Sequence, residues 1–431
     1  MTLFHLLSED FLHYVWRTLS FDTQDLRTTD GLPVQIVRRG IWNRDQGPDF
    51  LEAQVRIGDM LWSGAVEMHL ATGGWYRHHH EQDPGYNHTI LHVVLDSDGQ
   101  PVLRQDGTAI PELALAGQLS PGLVATYNRL RLSEQAIPCA PLVAQVSALH
   151  RDPWVARLAI ERMEQKAHAM WERLDRQVQD WEQVLWEELL AMIGGPVNQE
   201  TLRSLAHRLP YRVLRRVTDA VRGAEALLFG AAGLLDGLPP GDAYAAELRQ
   251  EWDFLRARHD LVTGDPLPLR YMRMRPAAFP TIRLAQAAQV ICCFPRLADL
   301  LLPEQWPVFL TTPLAASAYW NEHYRFGEPV AASPKRLGRS QKEILLINAI
   351  LPLSYLYHRA HGRSDPGELF ERGLVAWQAE DNRHTRPLTD LGFANDHALH
   401  SQGLIQLHKH YCLPRRCLDC QIGHQVLKRN R

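Results

Sequence analysis

Asp49-Phe-Leu-Glu-Ala-Gln-Val-Arg-Ile-Gly-Asp-Met-Leu-Trp-Ser-Gly-Ala-Val-Glu-Met-His69 is the stretch on which the fold of the opening third turns. Apolar residues alternate with Glu52, Gln54 and Arg56 from Phe50 to Ile57, Gly58-Asp59 interrupts, and Met60 to Leu70 resumes the run. That pattern predicts a β-hairpin, because side chains on a strand point alternately to two faces and Gly-Asp favours a tight turn. A two-residue turn also fixes register: it pairs Asp49 with Met68. The Asp49 carboxylate then goes to one face of the sheet, and Glu67 and His69 go to the other. Bringing the three together requires a bulge, a three-residue turn, or an Asp49 outside the ladder after Pro48.

Upstream, Ser8 caps an expected helix that carries Glu9 and Asp10 in its first turn and Phe11, Leu12, Val15, Trp16 and Leu19 on one face. Val34 to Val37 reads as a short strand, and Asn43-Arg-Asp-Gln-Gly-Pro-Asp49 as a turn in which Gly47 and Pro48 redirect the chain. Downstream, Thr89 to Leu95 reads as a central strand buried on both faces. After about Pro138 the period changes. Trp154, Leu158, Ile160, Met163, Trp171, Leu174, Trp181, Leu185 and Leu189 mark long amphipathic helices, with breaks at Gly194-Gly195-Pro196, Gly237 to Gly241 and Pro276 to Pro280. The expectation is an α+β protein: an α/β domain over residues 1–140, then a mostly helical domain over 141–431 that ends in a cysteine motif.

The 431 residues are ample for two cores, and 45% hydrophobic with 22% charged residues reads as an ordinary globular chain. A net charge of −3 gives no global pull on a polyanion, which leaves local basic patches as the route to one. No window approaches an apolar span of roughly 18 to 20 residues, and acidic residues interrupt the N-terminus early, so a cytoplasmic protein with no membrane partner is expected. Six cysteines are too few for a disulfide scaffold. No dinucleotide-binding G-x-G-x-x-G, Walker A loop, G-x-S-x-G elbow or H-E-x-x-H occurs, so those chemistries lack their usual apparatus.

The strings Asn43 to Phe50, Leu61 to His69, Trp75 to His78, Tyr86-Asn87, Ile90 to Val94, Arg275 to Arg283, Ser317 to Trp320, His323-Tyr324, Tyr411-Cys412 and Cys417 to Gly423 resemble a bacterial family known as domain of unknown function number 2851. Within it, Asp49 after Gly47-Pro48, then seventeen residues, then Glu67-Met-His69 resembles the PD-(D/E)xK nuclease pattern, with His69 at the usual lysine. The helix, hairpin, connector and strand order fits that superfamily's restriction-endonuclease-like core. The resemblance implies Asp49 and Glu67 as ligands of Mg²⁺ or Mn²⁺, His69 as the group that orients water or stabilises charge, and Glu9 as an auxiliary ligand. The implied reaction is metal-dependent hydrolysis of phosphodiesters in DNA or RNA.

Three further clusters bear on this reading. His78-His79-His80, with Glu81, Asp83, His88 and His92, is dense in ligands, but three adjacent imidazoles cannot all face one ion, so at most two of them would bind. Cys412-x4-Cys417-x2-Cys420 is spaced for Zn²⁺ or an iron-sulfur cluster if a fourth ligand arrives from His410, His424 or Cys139. Arg270, Arg273, Arg275 and Arg283, near Tyr271 and Phe279, and the group Lys335, Arg336, Arg339 and Lys342 are candidates for phosphate contact, set against solvated helix faces and internal ion pairs. The competing functional reading is a non-catalytic nucleic-acid or protein interaction module whose cysteine tail is a metal-stabilised docking element.

Overall fold

Ser8 accepts a hydrogen bond from the amide of Phe11 at 3.3 Å and so starts α1 (Glu9–Thr18), which buries Phe11, Leu12, Tyr14, Val15 and Trp16. The computed structural model describes residues 6–177, 179–217, 221–238, 241–262, 264–362 and 366–429. After α1 come β1 (Val34–Arg38), β2 (Ile41–Trp42), β3 (Phe50–Ile57) and β4 (Met60–Ala71), then the short helix α2 (Gly74–Arg77) and β5 (Thr89–Asp96). A small hairpin of β6 (Val102–Leu103) and β7 (Ala109–Ile110) leads to β8 (Glu112–Ala114). The main sheet runs β1-β3-β4-β5-β8, with β2 also on β3. Its first strands are antiparallel, while β4, β5 and β8 are parallel. Thr89 to Leu95 are all buried, as expected for a central strand.

The hairpin turn is the two-residue one, with Ile57 opposite Met60 and Ala53 opposite Gly64. Between Phe50 and Ala53 the register slips, so that Phe50 faces Val66. Of the three ways to reunite Asp49 with Glu67, the chain uses the bulge. One extra residue enters at Leu51-Glu52, Glu52 takes a left-handed φ of 56°, and Asp49 is carried back beside Glu67. Across the sheet, Glu67 stands opposite His92 and His92 opposite Glu112. Partners directly opposite in a ladder share a face, so these three polar residues form a row.

Two compact units organise the chain. The first comprises Met1–Val155, Asn382–Ala394 and Leu404–Arg431; the second comprises Ala156–Asp381 and Asn395–Gly403. The cysteine motif, expected at the end of a helical domain over 141–431, lies in the unit that holds the sheet. The helix α3 (Pro121–Leu132) and the terminal helix Gln421–Lys428 pack together within that unit.

The second unit is helical, built from most of α4 (Ala148–Arg176), α5 (Trp181–Arg208) and shorter helices including Val221–Ala231 and Pro280–Cys293. Its core is apolar and large, with Trp186, Phe229, Phe309 and Trp320 fully buried. The expected break at Gly194-Gly195-Pro196 is a kink inside α5, with Gly195 at φ 60°. The expected break at Gly237 to Gly241 falls partly outside the described residues. Among the described residues, no helix is long and apolar enough to cross a membrane.

Candidate metal centre

The Asp49 amide donates to Glu67 Oε2 at 3.0 Å, and the amide of Met68 donates to Asp49 Oδ2 at 3.0 Å. These bonds lock the residue before β3 onto β4 just beyond the bulge. Asp49 Oδ2 also lies 3.1 Å from His13 Nε2 on α1. Burial opposes charge on His13, but the hydrogen bond and charge of Asp49, helped by Asp10 and Glu9, outweigh it and raise the pKa above the ordinary imidazole value. Glu9, one helical turn before His13, is half-buried and near enough that its charge acts on His13 and Glu67.

Glu67 is buried, and burial together with the charge of Asp49 holds its carboxyl well above the usual carboxylate range. Its Oε1 lies 3.3 Å from His80 Nε2 and 3.7 Å from His69 Nε2, and His69 Nε2 lies 3.2 Å from His78 Nδ1. A cation bound by four ligands in a tetrahedron at ~2.0–2.1 Å spaces them by roughly 3.3 Å. The separations of 3.2, 3.3 and 3.7 Å lie about that value. Ligand atoms of His69, His78 and His80 all fall within 4.8 Å of one another. His80 Nε2 is buried and receives no hydrogen bond among the described residues, an orphan that a metal would satisfy.

A second layer of residues sets which nitrogen of His69 is available. Glu112 accepts hydrogen bonds from Thr72 and Ser97, and His92 Nδ1 faces it at 2.9 Å. We assign that Nδ1 as the donor and the His92 Nε2 as the acceptor. It accepts from His69 Nδ1 at 2.9 Å, which leaves a lone pair on His69 Nε2, aimed at Glu67 and His78. Burial, then the neighbouring imidazoles, push His69 down to about 2, so this ring is neutral at physiological pH. Burial lowers His80 as well. Gly74 opens the space: a Cβ there would stand 2.5 Å from the His69 ring. The His80 ring is fixed by Tyr86, stacked at 3.8 Å, and by the edge of Trp75 at 5.4 Å.

Of the three consecutive histidines, His78 and His80 converge, while His79, at φ 61°, turns its 74% exposed side chain outward. Two of the three therefore reach the centre, within the limit read from the sequence. Asp83 caps the following turn through Gly85, and His88 is exposed; neither joins the cluster. The sequence reading missed His13 and Glu112 as members of the site. Glu112 carried a signal, since it is a lone acid inside the apolar run Ile110-Pro-Glu-Leu-Ala-Leu115.

Elsewhere in this unit, Cys139, Cys412 and Cys420 are buried and Cys417 is half-buried, all as free thiols. A cleft of about 360 Å³ is lined by Tyr14, Arg17, Trp42, Arg131, Arg415 and Arg416, among others. The guanidinium groups of Arg17 and Arg44 each stand over the Trp42 ring, at 4.4 and 4.3 Å. In the helical unit, Arg273 and Arg275 are exposed, but Arg283 is half-buried and spends its Nη1 on Gln286 and Gln341. Of the second basic group, Lys335 and Lys342 are buried on backbone carbonyls, while Arg336 and Arg339 are exposed.

The family model described as protein of unknown function (DUF2851) matches residues 9–383, and the chain belongs to that family. The matched span holds the whole histidine and carboxylate cluster and stops before the cysteine motif. No curated protein and no solved structure matches the chain.

Proposed function

We propose that the first unit is a divalent-metal-dependent phosphodiester hydrolase acting on nucleic acid, with His69, His78, His80 and Glu67 as the metal ligands. The single observation that carries this reading is the convergence of ligand atoms of His69, His78 and His80 within 4.8 Å of one another, with Glu67 Oε1 3.3 Å from His80 Nε2 and 3.7 Å from His69 Nε2 and an orphaned His80 nitrogen among them. Three imidazoles and one carboxylate suit Mn²⁺ or Zn²⁺ better than Mg²⁺, which prefers oxygen ligands and retained water. Relative to the sequence reading, His69 moves from water-orienting group to ligand, and Asp49 moves from ligand to the partner of His13. The strand order with Asp49 and Glu67-x-His69 on one face supports a restriction-endonuclease-like core.

When bound, the cation supplies charge stabilisation at the phosphate and acidifies a water. The remaining roles fall to side chains. His13, its pKa raised by Asp49, holds a proton beside the centre and is suited to deliver it to a leaving oxygen. Glu9 is placed as an auxiliary acceptor for a water proton. His92 and Glu112 keep the His69 lone pair aimed inward. The arginines around Trp42 suit the phosphate backbone of a nucleic acid.

The test is cleavage of single-stranded DNA and RNA by the full chain with Mn²⁺ or Zn²⁺. The parent is expected to cleave one of them, and Glu67→Gln is expected to fold and not cleave. A parent inert on both polymers with either metal, or a Glu67→Gln chain as active as the parent, overturns the reading.

A further inference from the structure

The four cysteines of the first unit lie outside the proposed catalytic centre and have no role in it. Cys139 is the residue before the short helix Ala140–Gln145, and Cys420 is the residue before the terminal helix Gln421–Lys428. Those two helices pack against each other, so two cysteines at helix starts are brought together from positions 281 residues apart in the chain (420 − 139). Cys412 ends the π-helical turn His408–Cys412, and Cys417 precedes Cys420 by one tight turn, the Cys420 amide donating to the Cys417 carbonyl at 3.4 Å. A Cβ at Gly423 would collide with that same carbonyl, so the turn closes only because residue 423 is glycine.

Cys420 stands at the start of the terminal helix, where the amides of Ile422 and Gly423 work against the burial that raises its pKa. N–H groups at a helix start favour a thiolate over a neutral thiol, which is a weak acceptor. The other sulfurs are close enough for their charges to interact: burial, then Cys420 and Cys417, push Cys139 up to about 12, and burial, then Cys420, Cys139 and Cys417, raise Cys412 further. All are free thiols, so no disulfide accounts for the gathering. Of the alternative fourth ligands, His424 gives its Nδ1 to Tyr14 Oη at 2.8 Å and His410 is exposed.

We propose that Cys139, Cys412, Cys417 and Cys420 together bind one iron-sulfur cluster that staples the C-terminal segment to the sheet-bearing unit. Four thiolates are a complete ligand set for such a cluster, whose several irons hold them further apart than one ion would. The staple also has a mechanical role. Arg415 and Arg416 sit between the second and third cysteines; Arg415 donates to the Arg131 carbonyl at 2.9 Å, and Arg17 donates to the Leu418 carbonyl at 3.2 Å. The metal thus holds the arginine-lined wall of the cleft against α1 and α3.

The test uses the full chain purified without oxygen and without added metal, assayed for zinc, iron and acid-labile sulfide. His80→Ala removes the contribution of the histidine pocket, so the two sites are read separately and either can fail alone. In that background we expect iron with matching sulfide. Cys417→Ser and Cys139→Ser should lose it, and Cys292→Ser, outside the cluster, should keep it. Should the cluster variants fail to fold, the visible thiolate-to-iron charge-transfer absorption of the His80→Ala chain, and its loss on treatment with an iron chelator, give an independent reading. Iron with matching sulfide supports the cluster. Zinc without iron, absence of iron and sulfide together with no charge-transfer band, or metal content unchanged in both cluster variants, overturns it.

Discussion

His78, on the rim of the histidine pocket, is exposed, whereas Cys139, Cys412 and Cys420 are only 7–8% exposed. The two clusters lie in one unit and differ in construction. The pocket draws His69 and Glu67 from a strand and takes His78 and His80 from the connector that follows. The cysteine cluster is closed by helix starts and a tight turn. A metal site that does chemistry must admit water and substrate to the ion, and one that holds a fold together excludes them. On that ground we assign reaction to the first cluster and architecture to the second.

The comparison breaks first at Glu67. Glu67→Gln should lower cleavage by about a thousandfold or more, the scale of losing the group that builds a metal-assisted transition state, and leave cysteine-bound metal unchanged in elemental analysis. Gly423→Ala should do the reverse. Its Cβ forces the Cys417 turn apart, costing about 2–4 kcal/mol of stability, seen as a lower midpoint in thermal unfolding, while the histidine pocket of the surviving folded chain still binds Mn²⁺.

A smaller effect separates ligands from the groups behind them. Glu112→Gln leaves all four ligands in place but removes the acceptor that fixes His92 and, through it, His69. Metal affinity should fall by about 10- to 100-fold, read by competition with a chelator, and excess metal should restore activity, as it would not for Glu67→Gln.

Acidity offers a further test in the metal-free chain. Glu67 has a folded pKa raised by burial above the unfolded value of 4.5, so its contribution is fully present below that value and is lost as pH rises through the folded pKa. His69 has a folded pKa lowered to about 2, so its contribution is lost as pH falls from 6.5 toward 2. Metal-free Glu67→Gln should therefore gain at least about 1 kcal/mol over the metal-free parent at pH 8 and little at pH 4, measured by urea unfolding. Equal stabilities at both pH values would contradict the burial of an ionisable Glu67.

The smallest effect concerns the bulge. Glu52→Gly relieves a left-handed residue worth about 1 kcal/mol and gives up only an exposed pair with Arg38. Stability should change by less than about 1 kcal/mol, with cleavage unchanged, because the register that aligns Asp49 with Glu67 is kept.

Much of this unit was readable from residues alone. The period-two alternation either side of Gly58-Asp59 marked the hairpin, and Ser8 with its apolar stripe marked α1, because both signals are local. The bulge was readable only as a need: alternation showed that Asp49 and Glu67 fell on opposite faces, but nothing in Leu51-Glu52 marks the extra residue. The row from Glu67 through His92 to Glu112 depends on pairing between parallel strands joined by long connections, and no local pattern reports that register. The cysteine motif was legible as a ligand set by its spacing. Its return to the sheet-bearing unit was not, since that depends on which helices pack. Arg283 and Lys342 read as a basic surface from composition, and tertiary packing turned both inward.

Anomalous diffraction from crystals of the full chain soaked in Mn²⁺ tests the proposed catalytic centre most directly. The account predicts a manganese peak within about 2.3 Å of His69 Nε2, His80 Nε2 and Glu67 Oε1, with His92 still bonded to Glu112 behind it. A map with no peak in that pocket, or with the His69 ring turned so that Nε2 bonds protein instead, would contradict it.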